Sequence, residues 1–290
     1  MKRTKDVWTV SRLKTFQVCP MKESLRYREK LAPIKTRSAL AFGTAVHKGL
    51  ETRSIKEALA VLGDVFPKNQ EEQDELDIAW CSVHALLTNY FERFPAFEEH
   101  EPEKLFVLPM KTRKGSSTTM VISGKIDDLV KIDGRYWIVE YKTASRLDSS
   151  YFDRLYVDSQ ITMYMYSMTR LGYDVAGVIY RVLRKPALRR KNGETIEAFS
   201  DRITKDIADR PEFYFEERQL YRSSDDLQQF ERDIYMQAKL SNNLHKSGCS
   251  FQYSTACSMY GGCEYLPLCM NENGAQALYE YREPNEELKE

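Results

Sequence analysis

The side chains best suited to catalysis lie in one stretch at residues 124–145, which reads GKIDDLVKIDGRYWIVEYKTAS. Its apolar run WIVEYK is typical of a core strand, yet it contains the carboxylate of Glu140 and the amine of Lys142. Residues two apart in a strand point to the same face of the sheet, so these side chains project together. The sequence therefore predicts two opposite charges side by side on one face of a buried strand.

An acidic pair precedes this strand by about one hairpin. The dipeptide at 133–134, Asp-Gly, predicts a two-residue turn that folds Asp127 or Asp128 back beside Glu140. Two converging carboxylates would hold a hard divalent cation such as Mg²⁺ or Mn²⁺, and a neighbouring lysine would orient water and steady negative charge. Phosphodiester hydrolysis needs these groups. The competing interpretation is a buried Glu140–Lys142 ion pair that only closes the sheet.

Four blocks of sequence, in this order, resemble the motifs of the PD-(D/E)xK nuclease superfamily. They read FGTAVHKGLE, GKIDD, VEYKT and DSQITMYMYS. The surrounding sequence is most similar to the RecB-like branch, which includes CRISPR-associated iron–sulfur exonucleases and phage exonucleases. The resemblance implies six motif residues: His47, Asp127 with Asp128 as its neighbour, Glu140, Lys142, Gln160 and Tyr164.

The resemblance also implies a function. Asp127, Glu140, His47 and the carbonyl of Tyr141 would hold Mg²⁺ or Mn²⁺, while Lys142 would position the attacking water. Gln160 and Tyr164 would support Lys142 or the DNA backbone. The expected protein is a metal-dependent DNA exonuclease that acts on strand ends, with single-stranded ends as the expected substrate. The alternative is a non-catalytic or partner-dependent DNA-binding subunit of a recombination, repair or integration complex.

Four of the six cysteines fall in the last quarter of the chain. In a cytosolic protein of this size, clustered thiols more often bind metal than form disulfides. The resemblance implies a [4Fe–4S] cluster on Cys19, Cys257, Cys263 and Cys269, with a structural role. Cys249 competes with Cys257 as a ligand because the gap before Cys263 is wider than in the family, and Zn²⁺ suits the same thiols. Cys81 is expected to be buried and inert.

The segment RVLRKPALRRK, residues 181–191, concentrates positive charge. By itself it is equally consistent with a solvated loop. Beside a nuclease site, it predicts a contact with the phosphates of DNA, which lysine and arginine bind. The residues assigned to this contact are Arg181, Arg184, Lys185, Arg189 and Arg190, with Lys191 at the end of the segment.

The elements that must position these residues follow from periodicity and turn signals. Helices are predicted over 11–30 with Pro20 as a strained point, then over 39–53, 54–63, 71–94, 151–171 and 224–243. Strands are predicted over 104–112, 117–133, 135–143, 174–183 and 212–221. This order, read with the resemblance, predicts an α/β fold with a restriction-endonuclease-like mixed sheet flanked by helices. We expect a helical N-terminal lobe at 1–100, a nuclease core at 101–222, and a C-terminal helix with a cysteine-rich metal-binding tail at 223–290.

Composition limits the remaining possibilities. The 290 residues include 42% hydrophobic and 30% charged residues, with 43 basic against 43 acidic side chains, as expected for a globular protein. No apolar run approaches a membrane span and the start has no apolar leader, so we expect a cytoplasmic protein without a membrane partner. The chain has no phosphate loop of the G-x-x-x-x-G-K-[ST] type, so a helicase or recombination partner would be a separate protein. A homo-oligomer is possible.

Overall fold

The computed structural model describes residues 5–34, 38–112 and 117–288. The strands are β1 Asp6–Trp8, β2 Leu31–Pro33, β3 His100–Lys111, β4 Ser117–Ile132, β5 Arg135–Ala144, β6 Val175–Arg184, β7 Phe215–Leu220 and β8 Tyr279–Tyr281. The helices are α1 Val10–Val18, α2 Pro20–Glu23, α3 Ser38–Thr52, α4 Ile55–Gly63, α5 Gln70–Arg93, α6 Ser149–Asp153, α7 Ser159–Arg170, α8 Ile196–Asp209, α9 Pro211–Tyr214, α10 Ser224–Lys246, α11 Ser254–Cys257 and α12 Leu266–Cys269.

Six strands form one mixed sheet in the order β1-β4-β5-β6-β7, with β3 also paired to β4. The pairs β1–β4 and β5–β6 are parallel, and the other pairs are antiparallel. Asp133 and Gly134 both have positive φ, 50° and 80°, which suits the tight turn predicted between β4 and β5. The predicted mixed α/β sheet is therefore confirmed.

Two hydrophobic cores lie on opposite faces of this sheet. One face packs against α1, α7 and α10, through residues such as Phe16, Met163 and Phe230. The other face packs against α3, α4, α5 and α8, through residues such as Val46 and Leu86. Helices α3, α4 and α5 thus share a core with the sheet, because their apolar faces cover the side chains of β4, β5 and β6 that point towards them.

Both ends of the chain join this body. β1 adds to the sheet beside β4, with Val7 opposite Val121, and β2 pairs with β8 near the C-terminus. A buried group of charges ties α1 to α10, since Arg12 Nε donates to Glu23 (2.8 Å) and Ser241 Oγ donates to Glu23 (2.9 Å). The first residues therefore belong to the sheet and are held to the helix that precedes the cysteine-rich tail.

Several local predictions differ from the structure, among them the helix over 151–171, which divides at the extended Asp158 into α6 and α7. The predicted helix over 11–30 breaks at Cys19, whose backbone is extended (φ −163°), because Pro20 begins a new helix and restricts the residue before it. A π-helical turn follows at Ser24–Arg28. The predicted strand at 212–221 begins only at Phe215, since Pro211 starts the short α9. Helix α8 was not predicted.

Within the described ranges, no helix has the length and apolarity that a membrane span requires.

Candidate active site

The site forms where β4 and β5 part. They pair from Ile132↔Arg135 to Asp128↔Val139, and β5 then continues alongside β6 alone. Further along the same edge of β4, β1 takes the place of β5. The backbone N–H of Tyr141, beyond the last pair, donates to Asp127 Oδ2 at 2.8 Å. The Asp127 carboxylate thus lies in the fork between the two strands.

A local irregularity separates the two aspartates. Ile122, Ile126 and Leu129 all face the same core, so the alternation of β4 shifts between Ile126 and Leu129. Glu103 on β3, opposite this point, has a positive φ of 52°. Asp127 is directed into the fork, whereas Asp128 contacts His100 Nδ1 at 3.0 Å. The structure therefore separates Asp128 from the other motif residues.

Glu140 is the most buried of the ionisable groups at the fork, at 2% exposure. Its Oε1 accepts hydrogen bonds from Lys142 Nζ and from Gln160 Nε2 (2.8 Å). Its Oε2 is buried and accepts no hydrogen bond from any residue that the structure describes. Burial, and next the negative charge of Asp127, raise the pKa of Glu140 to about 7. A buried, partly satisfied carboxylate beside a second one is suited to bind a cation.

Lys142 is a cation in this arrangement. Burial by itself would lower its pKa, but the charges of Glu140 and Asp127 outweigh burial and the pKa is raised. Its side chain remains about one-third exposed. Lys142 can therefore donate hydrogen bonds to a phosphate or a water, but it is not a neutral base near pH 7.

His47 approaches the fork from the helices on one face of the sheet, whereas Gln160 on α7 approaches it from the other face. It lies on α3, and its Nδ1 is 3.6 Å from Asp127 Oδ1. Burial tends to lower the pKa of His47, but the neighbouring carboxylate of Asp127 leaves it raised. The pKa of Asp127 is lowered, since His47 and Lys142 outweigh its burial. The two layers of helices thus contribute side chains to one point at the sheet edge.

Gln160 and Tyr164 lie one turn apart on α7. Gln160 Nε2 is 3.1 Å from the Tyr164 hydroxyl, which donates to the carbonyl of Lys125 at 2.9 Å. Burial raises the pKa of Tyr164 well above its usual range, so this hydroxyl stays protonated. Gln160 donates to Glu140, and Tyr164 connects α7 to the β4 backbone just before the fork.

A hydroxyl pair next to the fork was not predicted. Tyr180 lies directly across from Glu140 in the β5–β6 register, and its hydroxyl is 3.2 Å from that of Tyr151. Neither residue stands out in the sequence, because Tyr180 lies in an apolar strand and Tyr151 lies on a five-residue helix without a motif around it.

The four cysteines assigned to the cluster line one small cavity: Cys19, Cys257, Cys263 and Cys269. Cys249 is exposed and does not line it, and Cys81 is buried on α5. The pKa of the Cys269 thiol is raised by burial and then by the other three thiols. In the described part of the chain, no group of three or more His, Cys, Asp or Glu side chains is arranged as a ready metal-binding set, at the fork or at this cavity.

The basic segment divides into an inner and an outer part. Arg181 donates to Glu217 (2.7 Å) and to the Tyr90 hydroxyl (2.8 Å), and its guanidinium lies over the Phe94 ring. Arg184 and Lys185 line a pocket at the end of β6, while Arg189 and Arg190 are exposed beyond it. Arg181 thus has internal partners, and the surface-facing positive charge belongs to the later residues.

Comparisons with known proteins link the chain to one family. No curated protein matches the chain. The solved structure of SSO0001 is 12% identical, covers 93% of this chain and 88% of its own, and gives a TM-score of 0.36. A "Putative exonuclease" from Eubacterium rectale is 12% identical over 82% of both chains, with a TM-score of 0.47. The family model of the PD-(D/E)XK nuclease superfamily matches residues 7–270, nearly the whole chain and every motif described above. The chain therefore belongs to the PD-(D/E)XK nuclease superfamily.

Proposed function

We propose that this protein is a divalent-metal-dependent deoxyribonuclease that hydrolyses phosphodiester bonds at the ends of DNA strands. The observation that carries the proposal is the fork itself, where the charges of Asp127, Lys142 and His47 lie around Glu140. Among the described residues, none donates a hydrogen bond to the buried Oε2 of Glu140. An ion pair with only a structural role would leave no reason for that orphaned oxygen, since buried acceptors are normally satisfied.

The donors at the fork suit Mg²⁺ or Mn²⁺. Carboxylate oxygens of Asp127 and Glu140, with His47 and the carbonyl of Tyr141, would hold the cation, and hard divalent cations prefer oxygen ligands. When bound, the cation would polarise the phosphate and activate the attacking water. Membership of the superfamily supports this cofactor in general terms.

The other residues at the fork have separate tasks in this proposal. The ammonium of Lys142 holds the attacking water by a hydrogen bond and offsets the negative charge that develops on the phosphate. Gln160 orients Glu140 through the 2.8 Å contact to Oε1. Tyr164 fixes Gln160 in turn, so α7 acts as the support for the carboxylate.

A preference for single-stranded ends is the finer part of the proposal. Glu140 is almost fully buried and Lys142 only one-third exposed, so the cleaved phosphate must approach a recessed point at the sheet edge. A flexible single strand with a free end can enter such a recess more easily than a stacked duplex. The sequence resemblance to CRISPR-associated and phage exonucleases supports action at strand ends.

A [4Fe–4S] cluster on Cys19, Cys257, Cys263 and Cys269 is the second cofactor in the proposal. Four thiols from both ends of the chain line one cavity, and four thiolates are the usual ligands of such a cluster. Zn²⁺ remains the alternative for the same thiols. Because Cys249 lies outside the cavity, Cys257 is the better fourth ligand. The cluster would have a structural role.

The test of the enzymatic proposal compares wild type with Lys142→Ala on end-labelled single- and double-stranded DNA, with Mg²⁺, with Mn²⁺ and with EDTA. We expect metal-dependent shortening from the labelled ends by wild type, and a rate about 10² to 10³ lower for the variant, as for loss of one transition-state donor. Lys131→Ala, on the exposed far part of β4, is the matched control and should cleave normally. DNA binding without cleavage by wild type would instead favour the non-catalytic subunit.

A further inference from the structure

A pocket lies where β5 and β6 end, just beyond the fork. Ser145, Arg184, Lys185, Arg210 and Phe213 line it, together with the buried Tyr214. None of these residues takes part in the contacts of Asp127, Glu140 or Lys142 described above. The pocket therefore needs a separate explanation.

The pocket carries uncompensated positive charge. Arg210 is neutralised by Asp206 at 2.5 Å, but among the described residues Arg184 and Lys185 form no ion pair. The opening on the other side of the fork differs, since its lysines are compensated. There Lys48 pairs with Glu51 at 3.0 Å and Lys125 pairs with Glu103. An anion near the fork is thus attracted mainly towards the end of β5 and β6.

The register places this charge at a useful distance. Lys142 lies opposite Val182, and Ala144 lies opposite Arg184, on the same face of the sheet as Lys142. Two residues of rise and one strand spacing separate the backbones of Lys142 and Arg184 by about 8 Å. One or two nucleotides of a DNA strand cover that distance, at ~3.4 Å of axis per nucleotide in duplex form and more when extended.

The groups in the pocket are held in place before any ligand arrives. Arg184 Nε donates to the carbonyl of Phe213 at 2.9 Å, and its guanidinium lies 4.2 Å from the centre of the Phe213 ring. The ring itself is 44% exposed. The guanidinium of Arg210 also lies over this ring, 4.8 Å from its centre. Guanidiniums held in this way offer hydrogen bonds to a phosphate.

We propose that this pocket binds a phosphate of the substrate strand one or two nucleotides from the cleaved bond. Arg184 and Lys185 donate to the phosphate oxygens, and Phe213 holds the guanidinium of Arg184 in place. This inference rests on the proposed nuclease function and adds the direction in which the strand leaves the fork, along β5 and β6 and away from His47.

The test measures binding of a fluorescent single-stranded oligonucleotide by anisotropy, in the cleavage-deficient Lys142→Ala background. One neutral methylphosphonate linkage is stepped along the strand from each end, and strands with and without terminal phosphates are included. We expect Lys185→Ala to weaken binding about tenfold. Neutralising or removing the phosphate at one position of the strand should weaken binding by the same factor. The two losses should not multiply, because they remove the same contact. Lys205→Ala, exposed on α8 outside the pocket, is the control of equal charge.

The outcomes separate this inference from the function on which it rests. Losses that multiply at every position, or equal losses in Lys185→Ala and Lys205→Ala, would overturn the pocket while leaving cleavage intact. Wild-type protein that neither binds nor cleaves DNA would overturn the nuclease proposal itself. Since Arg184 also bonds the backbone of Phe213, Arg184→Lys serves as a second variant, checked by its unfolding temperature. It should also weaken binding at the same phosphate position.

Discussion

At the scale of single residues, Glu140 combines burial with an incomplete set of hydrogen bonds. Lys142 and Gln160 both donate to Oε1, and within the described ranges no group donates to Oε2. The residue therefore contributes little stability as an ion pair, and its environment favours the protonated form unless a cation is present. Sites arranged for catalysis commonly accept such a local cost in stability.

The raised pKa of Glu140 predicts a pH-dependent stability in EDTA. Its pKa is about 7 in the folded protein and near 4.5 as a free side chain, so the folded state binds this proton more tightly. The favourable contribution is complete below about pH 4.5 and is lost as pH rises through about 7, at a cost of up to ~3 kcal/mol. Urea unfolding of wild type and Glu140→Gln at pH 5 and pH 8 checks this.

We expect Glu140→Gln to be more stable than wild type at pH 8 and close to wild type at pH 5. Glu197→Gln, an exposed residue of α8, should change neither value. An equal effect of Glu140→Gln at the two pH values would show that burial does not raise this pKa. Activity should follow the opposite course and rise with pH towards 7, because cation binding needs the carboxylate.

At the scale of elements, the approach of α3 to its neighbours sets the position of His47. Gly49, two residues later on the same helix, allows this approach. A Cβ built on Gly49 would be 2.3 Å from Leu87 Cδ1 and 2.9 Å from Ala58 Cβ. The helices α4 and α5 would have to move away from α3, and His47 would move with it relative to Asp127.

Gly49→Ala should therefore lower the free energy of unfolding by about 1–3 kcal/mol through overpacking, despite the better helix propensity of alanine. The cleavage rate should fall by a larger factor than the fraction of folded protein does. Gly63→Ala is the matched control, since no atom of the described residues lies within 4 Å of its added Cβ. This variant should have a free energy of unfolding equal to that of wild type or slightly higher. Urea unfolding and a cleavage assay at a temperature where both variants are folded provide the measurements. A neutral Gly49→Ala would mean that the three helices adjust at little cost.

At the scale of the whole molecule, the two ends of the chain meet in one place. β2 pairs with β8, Arg12 and Glu23 connect to α10 through Ser241, and Cys19 lies beside the three cysteines of the tail. A cluster on these thiols would close a loop of more than two hundred residues, and such cross-links restrict the unfolded chain strongly.

Anaerobically purified Cys263→Ser should lose the iron and the visible absorbance of the cluster, and its unfolding temperature should fall by several degrees. Cys249→Ser, whose thiol is exposed outside the cavity, should retain both. Metal analysis distinguishes the alternatives, because about four iron atoms per chain support the cluster and one zinc supports a Cys₄ site. Identical behaviour of the two variants, with no bound metal, would contradict both.

Features that depend on neighbouring residues in the chain could be predicted from the sequence alone. The Asp-Gly turn, the alternation around Glu140 and the four ordered motifs predicted β4, β5 and the motif residues, because each depends on neighbours in the chain. Helix α8 was missed although Phe199, Ile203 and Ile207 recur at helical spacing, so that signal was available in the sequence.

Contacts between distant segments, which only the folded structure shows, bring some of these residues together and keep others apart. The shift of alternation that separates Asp127 from Asp128, the internal partners of Arg181, and the place of β1 in the sheet all depend on contacts between distant segments. The break at Cys19 follows from Pro20, but its position beside the tail cysteines does not. Periodicity reports which face of an element is apolar, whereas the packing of several elements determines what that face touches.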